Sequence, residues 1–173
     1  MRDKLRNRYQ VHREVARNGS FEGEIRLSEM SRLMELLHLE GEQQRERKIA
    51  LSFAFSRSEY DLPMVSGQVQ AELQLECQRC LQPMDVPLSL DFSLLVDASD
   101  DIVQHSSQDT LYSDDGYIDI VEVVEDELIL AVPLVATHED RDCNSDWLAS
   151  ASTAETSERE NPFAVLEQLK TTN

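Results

Sequence analysis

The interval from Val65 to Val96 constrains this chain most, because two alternating apolar runs flank a short polar connection that carries two cysteines. On the first arm Val65, Val69, Ala71, Leu73 and Leu75 fall on one face with Gln68, Gln70, Glu72 and Gln74 between them, the period of two of a half-buried strand. Val86, Leu88, Leu90, Phe92 and Leu94 repeat the pattern on the second arm. The connection from Glu76 to Pro83 suits antiparallel neighbours, since a parallel pair would need a long crossover. The spacing predicts a β-hairpin with Cys77 and Cys80 at its tip.

Two more strands and two helices complete the expected fold. Phe21 to Leu27 alternates like a short strand, and Ser28 is placed to cap the helix whose apolar face is Met30, Leu33, Met34 and Leu37. Ile49, Leu51, Phe53 and Phe55 alternate with small residues and read as a strand that pairs with the hairpin. Asp119 and Glu122 have capping spacing at the start of Ile120 to Ala131, where Val121, Val124, Leu128 and Ala131 form a stripe and Pro133 stops the helix. The fold class expected is α+β: a mainly antiparallel sheet from strands near 21–27, 48–55, 65–76 and 85–96, covered by helices near 29–39 and 120–131.

The chain divides by composition. Residues 1–20 read as a basic N-terminal arm, since Arg2, Lys4, Arg6, Arg8, Arg13 and Arg17 face only Asp3 and Glu14, a local net charge of +4. A single α+β domain follows over 21–138, within which Asp97 to Asp115 lacks apolar periodicity and reads as a mobile acidic loop. An acidic flexible linker is expected over 139–160. A C-terminal docking helix is expected over 161–173, with Asn161 as cap, Pro162 at the first helical position and Phe163, Leu166 and Leu169 on one side. So short a helix is marginal alone in water, so it should dock on this domain or on a partner.

Charge narrows the function. Asp and Glu number 34 against 16 Lys and Arg, a net charge of −18, which favours basic partners and opposes a broad phosphate-binding surface. From Leu81 through Asp140 there is no Lys or Arg, so Asp114, Asp115, Glu125 and Asp126 are candidate contacts to a basic protein. Naked RNA should bind weakly, with the basic arm its only obvious contact. Glu125, Asp126 and Glu127 are adjacent and point to different sides of a helix, which does not make a general acid and base pair. With no catalytic constellation in view, an enzyme is not expected. No apolar run reaches membrane-spanning length, and Met1 to Arg6 lacks the apolar core of a secretory signal, so a cytoplasmic protein without membrane association is expected.

Three cysteines in such a chain fit reduced thiols or metal ligands better than a disulfide framework. Cys77 and Cys80 at C-x2-C spacing on a short turn can clamp one zinc, and His138 with Cys143 would complete a tetrahedral Cys3His set. Unliganded structural thiols and a redox pair are the alternatives. A redox C-x-x-C normally sits at a helix N-terminus that depresses the thiol pKa, whereas this one is expected on a hairpin.

Four motifs in order now stand out: Leu75-Glu76-Cys77-Gln78-Arg79-Cys80; the Asp119 to Pro133 helix with Val124-Glu125-Asp126-Glu127-Leu128; the His138 to Cys143 element; and Asn161-Pro162-Phe163-Ala164-Val165-Leu166. Together they resemble the YceD family, the large ribosomal RNA subunit accumulation proteins of bacteria, from about Gly67 to Lys170. The resemblance implies a non-enzymatic role in synthesis, processing or stability of 23S ribosomal RNA. Beside the acidic charge, it points to action through a basic ribosomal protein or a pre-50S particle. An acidic adaptor for a basic client, and a C-x-x-C thiol redox protein, are the competing classes. Some relatives carry further cysteines beyond the position of Cys143 in the pattern of a metal site, and this chain lacks them.

Overall fold

In a computed structural model, residues 3–38, 41–59, 61–97, 109–140 and 142–145 are described. The strands named above form the centre of one sheet. β3 (Ser20–Arg26), β4 (Lys48–Arg57), β5 (Pro63–Glu76) and β6 (Pro83–Asp97) pair antiparallel in that order. Two short strands extend it in parallel, β1 (Asp3–Lys4) on β3 and β7 (Thr110–Tyr112) on β6. A separate antiparallel ribbon joins β2 (Arg8–Gln10) to β8 (Tyr117–Asp119). The helices are α1 (Val11–Ala16), α2 (Ser31–Leu36) after a 3-10 turn at Leu27–Glu29, α3 (Glu42–Arg45) and α4 (Ile120–Ala131). The fold is α+β.

Register shows why one sheet face became the core. Val65 lies opposite Leu94, Val69 opposite Leu90 and Leu73 opposite Val86, while Leu51 faces Val69 from the other side. The apolar residues of neighbouring strands thus share a face, on which α1 packs over β4 and β5, and α4 over β6. Ser52, Ser66, Gln68 and Asp91 occupy the opposite face. Gly67 sits on the core face between Phe53 and Phe92, where an added Cβ would lie 2.7 Å from the Phe53 Cβ and 2.8 Å from the Phe92 ring. The Phe92 ring fills the space a side chain would take. Gly67→Ala should therefore lower folding stability by about 1–3 kcal/mol through overpacking, seen as a lower urea midpoint at unchanged slope.

The described residues of the expected basic N-terminal arm, 3–20, pack onto the sheet. Tyr9, Val11 and Val15 are buried, and the Tyr9 ring meets Phe21 at 4.5 Å and Phe53 at 5.3 Å between centroids. These apolar side chains lie between the basic ones, and their burial outweighs the tendency of a charged terminus to fray. Arg8 stays exposed but forms an ion pair with Asp115 and covers the Tyr117 ring. The acidic loop also begins and ends differently from expectation. β6 runs to Asp97, and Thr110–Tyr112 pairs with it.

Candidate metal centre and acidic surface

The hairpin reverses through a tight turn whose backbone bonds are internal. Cys77 N donates to Gln82 O at 2.9 Å and Leu81 N donates to Cys77 O at 2.8 Å, with Leu81 in the left-handed region at φ 59°. The chain following α4 is tied to this turn. Gln78 donates from its backbone N to Ala136 O (2.8 Å) and from its side chain to Leu134 O (3.0 Å), and Arg79 donates to Asp140 O (2.8 Å). These bonds bring His138 and Cys143 over the tip. The start of the segment expected as linker is therefore tied to the hairpin, because the Gln78 backbone N–H and the Gln78 and Arg79 side chains satisfy the carbonyl oxygens of Ala136, Leu134 and Asp140.

All four ligand atoms of Cys77, Cys80, His138 and Cys143 lie within 4.8 Å of one another. Cys77 Sγ is 4.0 Å from Cys143 Sγ, and Cys80 Sγ is 3.3 Å from His138 Nδ1. Both hairpin cysteines are buried, and no thiol is in a disulfide. For Cys77, burial opposes ionisation, but backbone N–H groups of Cys80, His138 and Arg79 converge on its sulfur and carry its pKa down to about 5. The His138 N–H lies 3.4 Å from that sulfur. Cys143 moves the other way: burial and the neighbouring Cys80 and Cys77 sulfurs push it up to about 11. The Cys77 thiolate is thus favoured, whereas burial and the neighbouring sulfurs disfavour that of Cys143.

The donor set fits a zinc ion. Zinc–sulfur bonds of about 2.3 Å in a tetrahedron place sulfurs about 3.8 Å apart, close to the 4.0 Å between Cys77 and Cys143. Three thiols and one imidazole suit zinc over harder cations, and four protein donors leave no open position, which is the arrangement of a structural site. The arrangement can hold the hairpin tip to the segment after α4. Sequence spacing named the four donors but missed Gln78 and Arg79, whose only signal is their place inside the C-x2-C turn.

The candidate partner residues occupy different environments. Glu125 is 4% exposed; it accepts from Leu33 N at 3.0 Å and from Arg32 Nε at 2.9 Å. Leu33 is the third residue of α2, so Glu125 supplies the N-terminal cap from another helix, and Ser28 does not. It is an internal residue, which corrects its assignment to a partner surface. Asp126 pairs with Arg32 at 2.7 Å, and Asp115 bonds Tyr117 N at 2.9 Å besides its pair with Arg8. Asp114 is exposed. Phe163, Leu166 and Leu169, with the whole expected C-terminal helix, lie outside the described residues.

Fold and site define an α+β domain whose hairpin tip is hydrogen-bonded to the chain after its last described helix, with three Cys and one His gathered between them. Residues 65–170 match the family model described as Large ribosomal RNA subunit accumulation protein YceD. The chain belongs to the YceD family. It is 35% identical over 116 residues to the Large ribosomal RNA subunit accumulation protein YceD of Haemophilus influenzae. That alignment covers 63% of this chain and 66% of the relative, slightly under two thirds of its length. No solved structure matches. Among the described residues, no helix is long and apolar enough to cross a membrane.

Proposed function

We propose that this chain is a cytoplasmic, non-enzymatic accessory factor in the synthesis, processing or stability of 23S ribosomal RNA, acting through a basic ribosomal protein or a pre-50S particle. The family match over residues 65–170 is the observation that carries this reading. The closed donor set supports a structural part for Cys77, Cys80, His138 and Cys143, which would hold one zinc and supply fixed geometry at the tip without a site for substrate. The absence of Lys and Arg between Leu81 and Asp140 supports a basic protein over naked RNA as the direct contact.

Depletion of the protein in its own cells is expected to lower 23S relative to 16S ribosomal RNA, and the full chain should restore the ratio. An unchanged ratio on depletion would sink this reading. The same charge pattern favours a second one, an acidic adaptor for a basic client outside the ribosome; a salt-sensitive complex without ribosomal proteins would distinguish it. For the thiol redox class the deciding measurement is the reactivity of Cys77 and Cys80 in metal-loaded protein.

A further inference from the structure

Among the described residues, the most exposed large apolar side chains lie close together in sequence: Leu134 at 95%, Leu130 at 80% and Val135 at 67%. They do not belong to a loose loop. Val132 N bonds Leu128 O at 3.0 Å, the Gln78 side chain holds Leu134 O, the Gln78 backbone holds Ala136 O, and Ala136 is itself buried. The backbone is held on both sides while the side chains between face solvent. Aliphatic side chains exposed on backbone held this way leave little ordering to be done on binding.

Carboxylates outnumber cations around these side chains, where Arg79 on Asp140 O and Arg32 on Asp126 are the described positive groups. Asp126 and Glu127 precede Leu130 by one helical turn, and Glu139 and Asp140 follow Val135. Fifteen carboxylates and no Lys or Arg lie between Leu81 and Asp140. Asp126 is answered by Arg32, but Glu127 has no ion pair among the described residues. Burial, Asp109 and Asp126 raise its pKa, as expected where carboxylates crowd without a cation.

We propose that Leu130, Leu134 and Val135 form the docking surface for a lysine- and arginine-rich polypeptide segment that brings apolar side chains of its own. This deepens the reading above and rests on it for the source of the segment, a basic protein of the large subunit. Charge complementarity selects this occupant over the others. A second copy would bring another net −18 to the same surface. Residues 161–173 of this chain contain one Glu and one Lys, so they offer apolar side chains without the positive charge to answer the acidic surroundings. Nucleic acid would be repelled by the carboxylates and finds no aromatic stacking surface on three aliphatic side chains.

The test uses the full-length, metal-loaded chain against individually purified large-subunit proteins, immobilised one at a time. Leu134→Ser/Val135→Ser is compared with the parent, and a thermal melt checks its fold; both side chains are exposed, so the fold should be kept. At least one basic protein should bind the parent. The double variant should bind it at least tenfold more weakly at both low and moderate salt, since the lost contact is apolar. Glu127→Gln should weaken binding chiefly at low salt, where unscreened charge matters most. Equal affinity of parent and double variant, or no binding by any of the purified proteins, overturns the inference. So does a parent dimer that the double variant loses, or ribosomal RNA binding that depends on Leu134 and Val135. If depletion lowers 23S ribosomal RNA while the double variant restores it fully, the functional reading stands and this surface assignment fails; if depletion changes nothing, the functional reading itself fails.

Discussion

Replacing Cys77 with Ser is expected to abolish stoichiometric zinc and to lower the thermal midpoint on the order of 10 °C, the effect of losing a few kcal/mol in a protein of this size. The zinc would close a ring between the hairpin turn and the chain after α4, so its loss frees two segments that have little core of their own. The effect should be local. Phe21, Phe53, Phe55 and Tyr9 pack together on strands away from the tip, and that core does not need the metal to form. Small zinc-finger peptides unfold outright without metal. Here far-ultraviolet circular dichroism should keep most of its strand signal while Gln78, Arg79 and residues 134–143 lose amide protection. A chelator should shift the parent midpoint by the same amount and the Cys77→Ser midpoint hardly at all. Parent protein purified without chelator that contains no stoichiometric zinc, and melts like Cys77→Ser, would show that the four donors meet without binding metal.

How much of this could be read in the sequence depends on the range of the interaction that decides each element. The hairpin was legible because its period of two continues over many residues, and α4 because Asp119 and Pro133 mark its ends. Asp119 accepts from Val121 N at 2.9 Å, and the helix stops at Ala131. The four metal-type donors were legible from C-x2-C and from the nearness of His138 to Cys143 in sequence. The N-terminal segment was not. Strands of two and three residues carry no measurable period, and their partners, Phe21 and Glu22 for β1 and Tyr117 to Asp119 for β2, are distant in sequence. The six cations around Tyr9, Val11 and Val15 concealed three core residues.

Glu125 is hard to place from sequence for a different reason, although its signal is present. Val121, Val124, Glu125 and Leu128 follow the i, i+3, i+4, i+7 spacing of one helix face, so Glu125 occupies an apolar-stripe position. A carboxylate there implies a buried partner. Its neighbours Asp126 and Glu127 made it look like part of a solvated acidic run, although successive helical residues point in different directions. The donors it serves, Arg32 and the Leu33 N–H, come from α2, which no local rule connects to α4.

Glu125→Ala should accordingly be among the most damaging single changes in the domain. It removes the acceptor of the buried Leu33 N–H at the start of α2, breaks the Arg32 bond and empties a buried position. Each lost partner of a buried donor costs about 1–3 kcal/mol, so a total of about 3 kcal/mol is expected, discounted for Arg32 because that side chain is half exposed. Glu125→Gln keeps an oxygen for Leu33 N and a similar volume, and should cost about 1 kcal/mol. Arg32→Ala should lie nearer the Gln variant, since water can reach the position it vacates. Urea unfolding would rank the three, and hydrogen exchange at the Leu33 amide gives a local check: exchange should accelerate strongly in Glu125→Ala and little in Glu125→Gln. If Glu125→Ala unfolds within about 0.5 kcal/mol of the parent, the range of an ordinary surface substitution, the carboxylate does not anchor α2.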